Sequence, residues 1–256
     1  MSREKTTTDL HWNRRALDEP DDSNVNIGDS VQREIETDFI LPHLPAGGQV
    51  LEVGCGNGFL TRLIRDRVAH VDAFDFSENM VARAKEYCGE TNNRFFQDDV
   101  VSLQNVAGPY DAIVCVRVLI NLPSTDLQHR AIENLAGLLQ TGGRLILVEG
   151  FADGFEALNT LRTSVGIDPL SPASINVYAP LEDVRATIDS HFTVVDQCHT
   201  GMFDFLTRVV YPALVGADSA TGPSDFHARI GAIARGFHPD DFRRLARLHG
   251  FVLEKK

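Results

Sequence analysis

Apolar residues along this chain follow two alternating rhythms. Short runs at Gln49 to Val53, His70 to Phe76, Arg94 to Gln97, Tyr110 to Val116 and Arg144 to Val148 read as strands. Between them, apolar residues recur three or four apart, the spacing of one helix face. Phe59 to Val68 is one such stretch. Ser77 can cap a second, in which Met80, Val81, Ala84, Tyr87 and Cys88 share a face. Ser124 can cap a third, with Leu127, Ala131, Leu135 and Leu138 facing the core and Gly142 and Gly143 ending it. Strands alternating with helices predict the α/β class: right-handed crossovers, a mostly parallel sheet, and helices on both of its faces.

The flanks are less regular. A helix is expected from Ser30 to Leu44, with Val31, Ile35, Phe39 and Ile40 on one side. Residues 1 to about 28 read as a loose segment, because Asp18, Glu19, Asp21 and Asp22 crowd around Pro20. After Gly150 the rhythm breaks. Residues 151–178 hold one helical piece, Glu156 to Val165. Leu181 to Ile188 and Phe192 to Val195 resume the helix–strand order. Residues 200 to about 248 form a second insertion, with helical pieces at Phe203 to Val215 and Phe242 to Leu248. Phe251 to Leu253 is expected as a final antiparallel edge strand, the seventh of the sheet. The expected organisation is an N-terminal lid segment and helix over 1–48, a ligand-binding core over 49–150, a lid insertion over 151–178, a core continuation over 179–199, and a helical insertion with the edge strand over 200–256.

Charge and cysteine content narrow the function classes. The 256 residues carry a net charge of −12 and no basic run, which disfavours a nucleic-acid partner. The polar start of the chain lacks the apolar centre of a signal peptide, and no stretch approaches the roughly 20 apolar residues of a membrane span. Cys55, Cys88, Cys115 and Cys198 lie far apart and form no metal-type pair. The expectation is a cytoplasmic protein with reduced cysteines and no bound metal.

The strongest local signal is Val50-Leu51-Glu52-Val53-Gly54-Cys55-Gly56-Asn57-Gly58. An apolar strand runs into three alternate glycines, and a helix follows. Such a turn lets a ligand approach the main chain, with the first helical N–H groups pointing at it. The dinucleotide fingerprint places a glycine where Phe59 stands, so the spacing suits a ligand without a pyrophosphate. Glu52 could order the loop or accept from an ammonium group. Asp75 ends the second strand 19 residues after Gly56, where a carboxylate can accept from a ribose diol. Asp72, mid-strand, reads as structural or solvent-facing. Of Asp98 and Asp99, which end the third strand, adjacent repulsion turns one to water, and Asp99 is preferred as the ligand to an adenine amino group, with the Val100 N–H on a ring nitrogen.

On these residues, together with Asp75-Phe76-Ser77, Met80, the run Tyr110 to Val116 and the run Gly143 to Glu149, residues 49 to 150 resemble the class I S-adenosylmethionine-dependent methyltransferase domain, a Rossmann-like fold. The resemblance implies S-adenosyl-L-methionine as cofactor. Gly54, Cys55, Gly56, Asn57 and Gly58 would face its methionine part, Asp75 the ribose and Asp99 the adenine. Glu52, Phe76, Met80 and Val100 belong to the same site, Cys115 or Val116 would line the methionine end through backbone atoms, and Arg33 would reach the cofactor carboxylate. A looser resemblance, on Asp29 to Glu36, Leu158 to Arg162 and Ser174 to Tyr178, is to bacterial methyltransferases that modify sugars and natural products.

The acceptor is expected to be a small molecule. The Asn/Asp-Pro-Pro-aromatic run of base-methylating families is replaced here by Arg117-Val118-Leu119-Ile120-Asn121-Leu122, and the paired glutamates of protein arginine methyltransferases are missing. Asn159 and Arg162 share a helix face, and Arg162 suits a carboxylate or phosphate on the acceptor as well as it suits a neighbouring acid on a solvated face. Asn176 is a third acceptor candidate. No histidine is marked as a catalytic base by its spacing. The rival readings are a nicotinamide-dependent oxidoreductase, which Phe59 disfavours, and a non-catalytic module that binds the cofactor.

Overall fold

The computed structural model describes residues 6–220 and 222–256. Seven strands form one sheet: β1 (Gln49–Val53), β2 (His70–Asp75), β3 (Asn93–Gln97), β4 (Tyr110–Val116), β5 (Leu139–Gly150), β6 (Phe192–His199) and β7 (Leu248–Lys255). Their order is β3-β2-β1-β4-β5-β7-β6. The first five are parallel, while β7 runs antiparallel to both β5 and β6. The expected last strand is therefore present but not at the edge. It slots between β5 and β6, and β6 takes the edge. Strand order depends on long crossovers, which local patterning does not encode.

Burial explains why the inner strands read as near-continuous apolar runs. Leu51, Val53, Ile113, Cys115, Leu145 and Leu147 enter the core on one face of the sheet. Their neighbours Val50, Ala112, Val114, Ile146 and Val148 enter the core on the other. Successive strand residues point to opposite faces, so a sheet covered on both sides must be apolar at every position.

The helices covering the two faces include α2 (Ser30–Ile40), α3 (Phe59–Ile64), α4 (Glu78–Cys88), α5 (Thr125–Leu138) and α7 (Leu181–His191), preceded by α1 (Thr7–Asp18) and separated by α6 (Ala152–Ser164). α1 overturns the expectation of a loose segment. A capping box joins Thr6 and Asp9, and the helix stops at Asp18, before the acidic cluster around Pro20. α5 ends at Leu138, so Gly142 and Gly143 lie inside β5 instead of ending the helix. In the last insertion α8 (Gly201–Phe205) passes through a π turn (Leu206–Val210) into α9 (Tyr211–Val215), and α10 (Asp225–Ala234) follows. The expected helix at Phe242 to Leu248 is a 3-10 turn (Asp240–Leu245) leading into β7.

From β1 the chain moves outward to β2 and β3, then returns to place β4 on the other side of β1. That reversal opens a crevice at the carboxyl ends of β1 and β4, where open α/β sheets bind ligands.

Candidate active site

A cavity of about 750 Å³ fills this crevice. Its floor is the loop after β1. Gly54 and Gly56 have φ of 68° and 53°, a region that L residues avoid. Space is short there as well. A Cβ on Gly54 would lie 2.4 Å from Val118 Cγ2, and one on Gly56 would lie 2.2 Å from Asn26 Oδ1. Both glycines line the cavity. Gly58 is different. It caps α3 with φ 79°, and a Cβ there would meet Phe95 and Ala84, so it serves packing against α4 and β3.

Asp75 sits beside this floor, buried, at the end of β2. Its Oδ2 accepts from the Gly56 N–H at 2.9 Å and its Oδ1 from the Ser77 N–H at 2.9 Å. Burial nevertheless pushes its carboxyl up to about 6. Glu52, buried at the same edge, accepts from the Thr61 hydroxyl at 2.5 Å, and burial pushes it up to about 8. Burial therefore favours its protonated form.

The two adjacent aspartates both line the cavity but hold different groups, and neither is simply turned to water: Asp98 is buried. Asp98 accepts four backbone N–H groups, from Asp99, Gln104, Asn105 and Val106, and so ties down the loop after β3. Asp99 takes the Val101 N–H and lines the cavity with Phe76, Met80 and Val100. Asp72 is structural, bound by Arg94 and the Tyr110 hydroxyl.

The predicted set divides by place. Arg33, Glu52, Gly54, Gly56, Asp75, Phe76, Met80, Asp99, Val100, Val116 and Asn176 line the cavity. Cys55 and Cys115 do not: their side chains belong to the cores on opposite faces of the sheet. Asn57 is also turned away, its amide donating to the Asp22 carbonyl at 2.8 Å.

Asn159 and Arg162 are corrections. Asn159 bonds both the N–H and the carbonyl of Leu170. Arg162 donates to the carbonyls of Asp168 and Arg208. Neither residue reaches the cavity.

Residues with no sequence signature complete the walls. α1 lies across the cavity, with the Trp12 indole N–H donating to Asn121 Oδ1 at 3.1 Å. Arg117, immediately after β4, adopts φ 53°, a strained setting for a non-glycine residue. Its Nε lies 3.3 Å from Glu36 Oε1, an ion pair whose angle is too poor for a hydrogen bond. Glu149 accepts from the Leu119 and Gly150 N–H groups and fixes the turn that follows Arg117. Burial pushes it up to about 7. Among the described residues, no cluster of His, Cys, Asp and Glu could hold a metal ion.

Comparisons with known proteins bear on the family and the fold. Residues 50–143 match the family model described as a methyltransferase domain. A ubiquinone biosynthesis O-methyltransferase of Coxiella burnetii is 33% identical over 101 residues, covering 39% of this chain and 42% of that protein. The chain thus aligns with about two-fifths of the length of that curated relative. The N-methyltransferase NodS of Bradyrhizobium japonicum, solved with S-adenosyl-L-homocysteine, superposes with a TM-score of 0.61 at 16% identity over 98% of this chain and 99% of that one. A putative methyltransferase of Haloferax volcanii, solved in complex with its Trm112 activator, gives a TM-score of 0.62 at 16% identity, with 99% of each chain covered. At such identities the structural likenesses establish the fold.

Proposed function

We propose that this chain, whose residues 50–143 form a methyltransferase domain on the class I fold, transfers a methyl group from S-adenosyl-L-methionine to an oxygen, nitrogen or carbon atom of a small-molecule acceptor. The observation that carries the reading is the Gly54–Gly56 floor, closed to any side chain and bonded directly to Asp75. A backbone floor beside a buried carboxylate fits an adenosyl group with an amino-acid tail. The N–H groups of Cys55, Gly56 and Gly58 are already taken by the Phe74 carbonyl, Asp75 and the Cys55 carbonyl, which counts against a pyrophosphate and so against a nicotinamide cofactor.

When bound, the cofactor supplies a methyl carbon made electrophilic by its sulfonium. The chain's residues do the rest. Asp75 would accept from the ribose hydroxyls with lone pairs that Gly56 and Ser77 leave free. Asp99 and the Val100 N–H would take the adenine edge. Arg33, stacked 4.2 Å over the Phe59 ring, holds its charge toward the cavity for a carboxylate. Glu52 would lose its proton as an ammonium group arrives, since a nearby cation favours the charged form.

The acceptor would lie beyond Val116, under α1 and residues 173–176, where Trp12, Ile120, Asn121, Ile175 and Asn176 line the cavity. These walls are largely apolar with a few amide groups, and they suit a compact organic molecule more than a polynucleotide. Holding such an acceptor in line with the methyl group can supply roughly 7–11 kcal/mol of the barrier reduction. α1 and residues 173–176 would serve as lids that exclude water. Free, buried cysteines fit a cytoplasmic setting. Among the described residues, no helix is long and apolar enough to cross a membrane.

Isothermal titration with S-adenosyl-L-homocysteine and with NADH tests the reading. The first should bind and the second should not. The reverse result would replace it with the oxidoreductase.

A further inference from the structure

α1 carries His11 where the helix crosses the cavity, and the residues that follow His11 pin it there. Trp12 is latched to Asn121 through the indole N–H. Asn13 Oδ1 accepts from the Ser77 hydroxyl at 2.9 Å, and the Asn13 carbonyl accepts from the Asn79 amide at 3.2 Å, which ties α1 to the start of α4. The His11 ring meets the Trp12 ring edge-on, with centroids 5.2 Å apart and planes at 84°. His11, Arg15 and Ile175 line the cavity. The same three residues line an outer groove between α1 and residues 174–175, together with Arg14, Asp18 and Glu19. His11 therefore stands at a boundary, with ligand space on one side and water on the other.

Groups able to take a proton from a ligand are few on the cavity wall. Each carboxylate there already holds a partner within the protein. Asp9 caps α1. Glu36 accepts from the Gln32 amide and faces Arg117. Glu52 holds the Thr61 hydroxyl, while Asp75, Asp98 and Asp99 hold backbone N–H groups. Neither ring nitrogen of His11 is hydrogen-bonded to a described residue. Partial burial and the Arg15 charge lower its pKa from the ordinary histidine value, and both favour the neutral ring. A neutral imidazole with an uncommitted nitrogen is the form that accepts a proton.

Resting on the assignment of this cavity to methyl transfer, we propose that His11 is the general base for a hydroxyl acceptor of the phenol type. One imidazole nitrogen takes the O–H proton as the oxygen attacks the methyl carbon. The new carbon–oxygen bond forms as the carbon–sulfur bond breaks, and the electron pair of that bond stays on sulfur. The products are a methyl ether, a thioether and an imidazolium. His11 then passes its proton to water in the outer groove, so the proton leaves without crossing the occupied cavity. A residue of the lid helix, outside the methyltransferase domain, thereby selects acceptors that must be deprotonated.

The test has a spectroscopic arm and a kinetic arm. In the first, a nitrophenol is titrated into protein saturated with S-adenosyl-L-homocysteine, where no transfer can occur, and its coloured phenolate band reports loss of the proton. The bound phenol should ionise about one pH unit lower in the unmodified protein than in His11→Gln, because an imidazolium stabilises the phenolate beside it. In the second, S-adenosyl-L-methionine is supplied with phenols of graded acidity and with amines. His11→Gln should lower kcat roughly a hundredfold for a weakly acidic phenol and by less than about tenfold for a nitrophenol that is already ionised. Added imidazole should restore part of the loss in His11→Ala. S-adenosyl-L-homocysteine affinity and the melting temperature of each variant check that α1 is still docked. Equal losses for all phenols, an unchanged phenolate band, turnover of amines alone, or no phenol bound or methylated would overturn the proposal. If the unmodified protein does not bind S-adenosyl-L-homocysteine, the methyltransferase reading itself fails, which is a separate result.

Discussion

The Gly56 N–H and the Asp75 carboxylate, 2.9 Å apart, join the loop after β1 to the end of β2. The bond spans 19 residues and fixes the one buried acid that faces the cavity from this strand. Two backbone donors occupy part of the carboxylate's capacity, and the remaining lone pairs point to the ligand space. Asp75→Ala should weaken S-adenosyl-L-homocysteine binding by about 1–3 kcal/mol. Titration calorimetry checks this, and unchanged affinity would take Asp75 out of the site.

Asp98 and Asp99 make a paired test, since the proposed function gives these sequence neighbours different tasks. Asp98→Ala orphans four backbone N–H groups and should cost stability, about 1–3 kcal/mol or more. Asp99→Ala, which loses the Val101 N–H bond, should cost less stability than Asp98→Ala and should reduce ligand affinity. The reverse pattern would exchange the two roles.

Features fixed by short-range spacing were legible in the sequence. The β1–glycine loop–α3 unit, Asp75 and Asp99 follow from strand ends and turn chemistry within a few residues. What depends on tertiary placement was not. Asn159 and Arg162 do share a helix face, but spacing does not say where that face points, and it points at the Leu170 and Arg208 backbone. Arg117 carries no local mark, because its importance comes from what the fold sets beside it. α1 is the exception. Its Thr6–Asp9 capping box is a local feature, but the reading of residues 1–28 rests on the acidic cluster alone.

Arg162→Ala separates a brace from an acceptor contact. Loss of the guanidinium leaves the Asp168 and Arg208 carbonyls without their donor and removes a buried stem. Stability should fall by about 1–3 kcal/mol, which lowers Tm by roughly 2–4 °C per kcal/mol in a chain of this size. Affinity for S-adenosyl-L-homocysteine should not move. Scanning calorimetry and ligand titration together decide the point.

The ligand-free protein should also lose stability as pH rises from about 6.5 to 8. Glu149 and Glu52 are pushed up to about 7 and about 8 from an ordinary 4.5, so the fold favours their protonated forms. That contribution is complete below the unfolded value and disappears as pH passes the folded one. His199 and His249, held down to about 4 by burial, act in the opposite direction, but only below their ordinary 6.5. Above it the carboxyls act alone. Glu52→Gln should flatten the Tm profile between pH 7 and 8, and an unchanged slope would mean that Glu52 is ionised in the fold.

Trp12 is the one tryptophan in the chain, so its fluorescence reports on the docking of α1. The helix is latched where the indole N–H meets Asn121, whose own amide donates to the Arg117 carbonyl at 2.8 Å. Asn121→Ala removes this acceptor while leaving the glycine floor and Asp75 untouched. A lost neutral hydrogen bond is worth about 1 kcal/mol, or roughly fivefold in the opening equilibrium. If α1 must lift for the ligand to leave, the variant should release S-adenosyl-L-homocysteine several times faster in stopped-flow experiments, with Trp12 emission shifted to the red. A red shift with an unchanged release rate would mean that α1 covers the cavity without controlling its exit, and that the ligand leaves past residues 173–176.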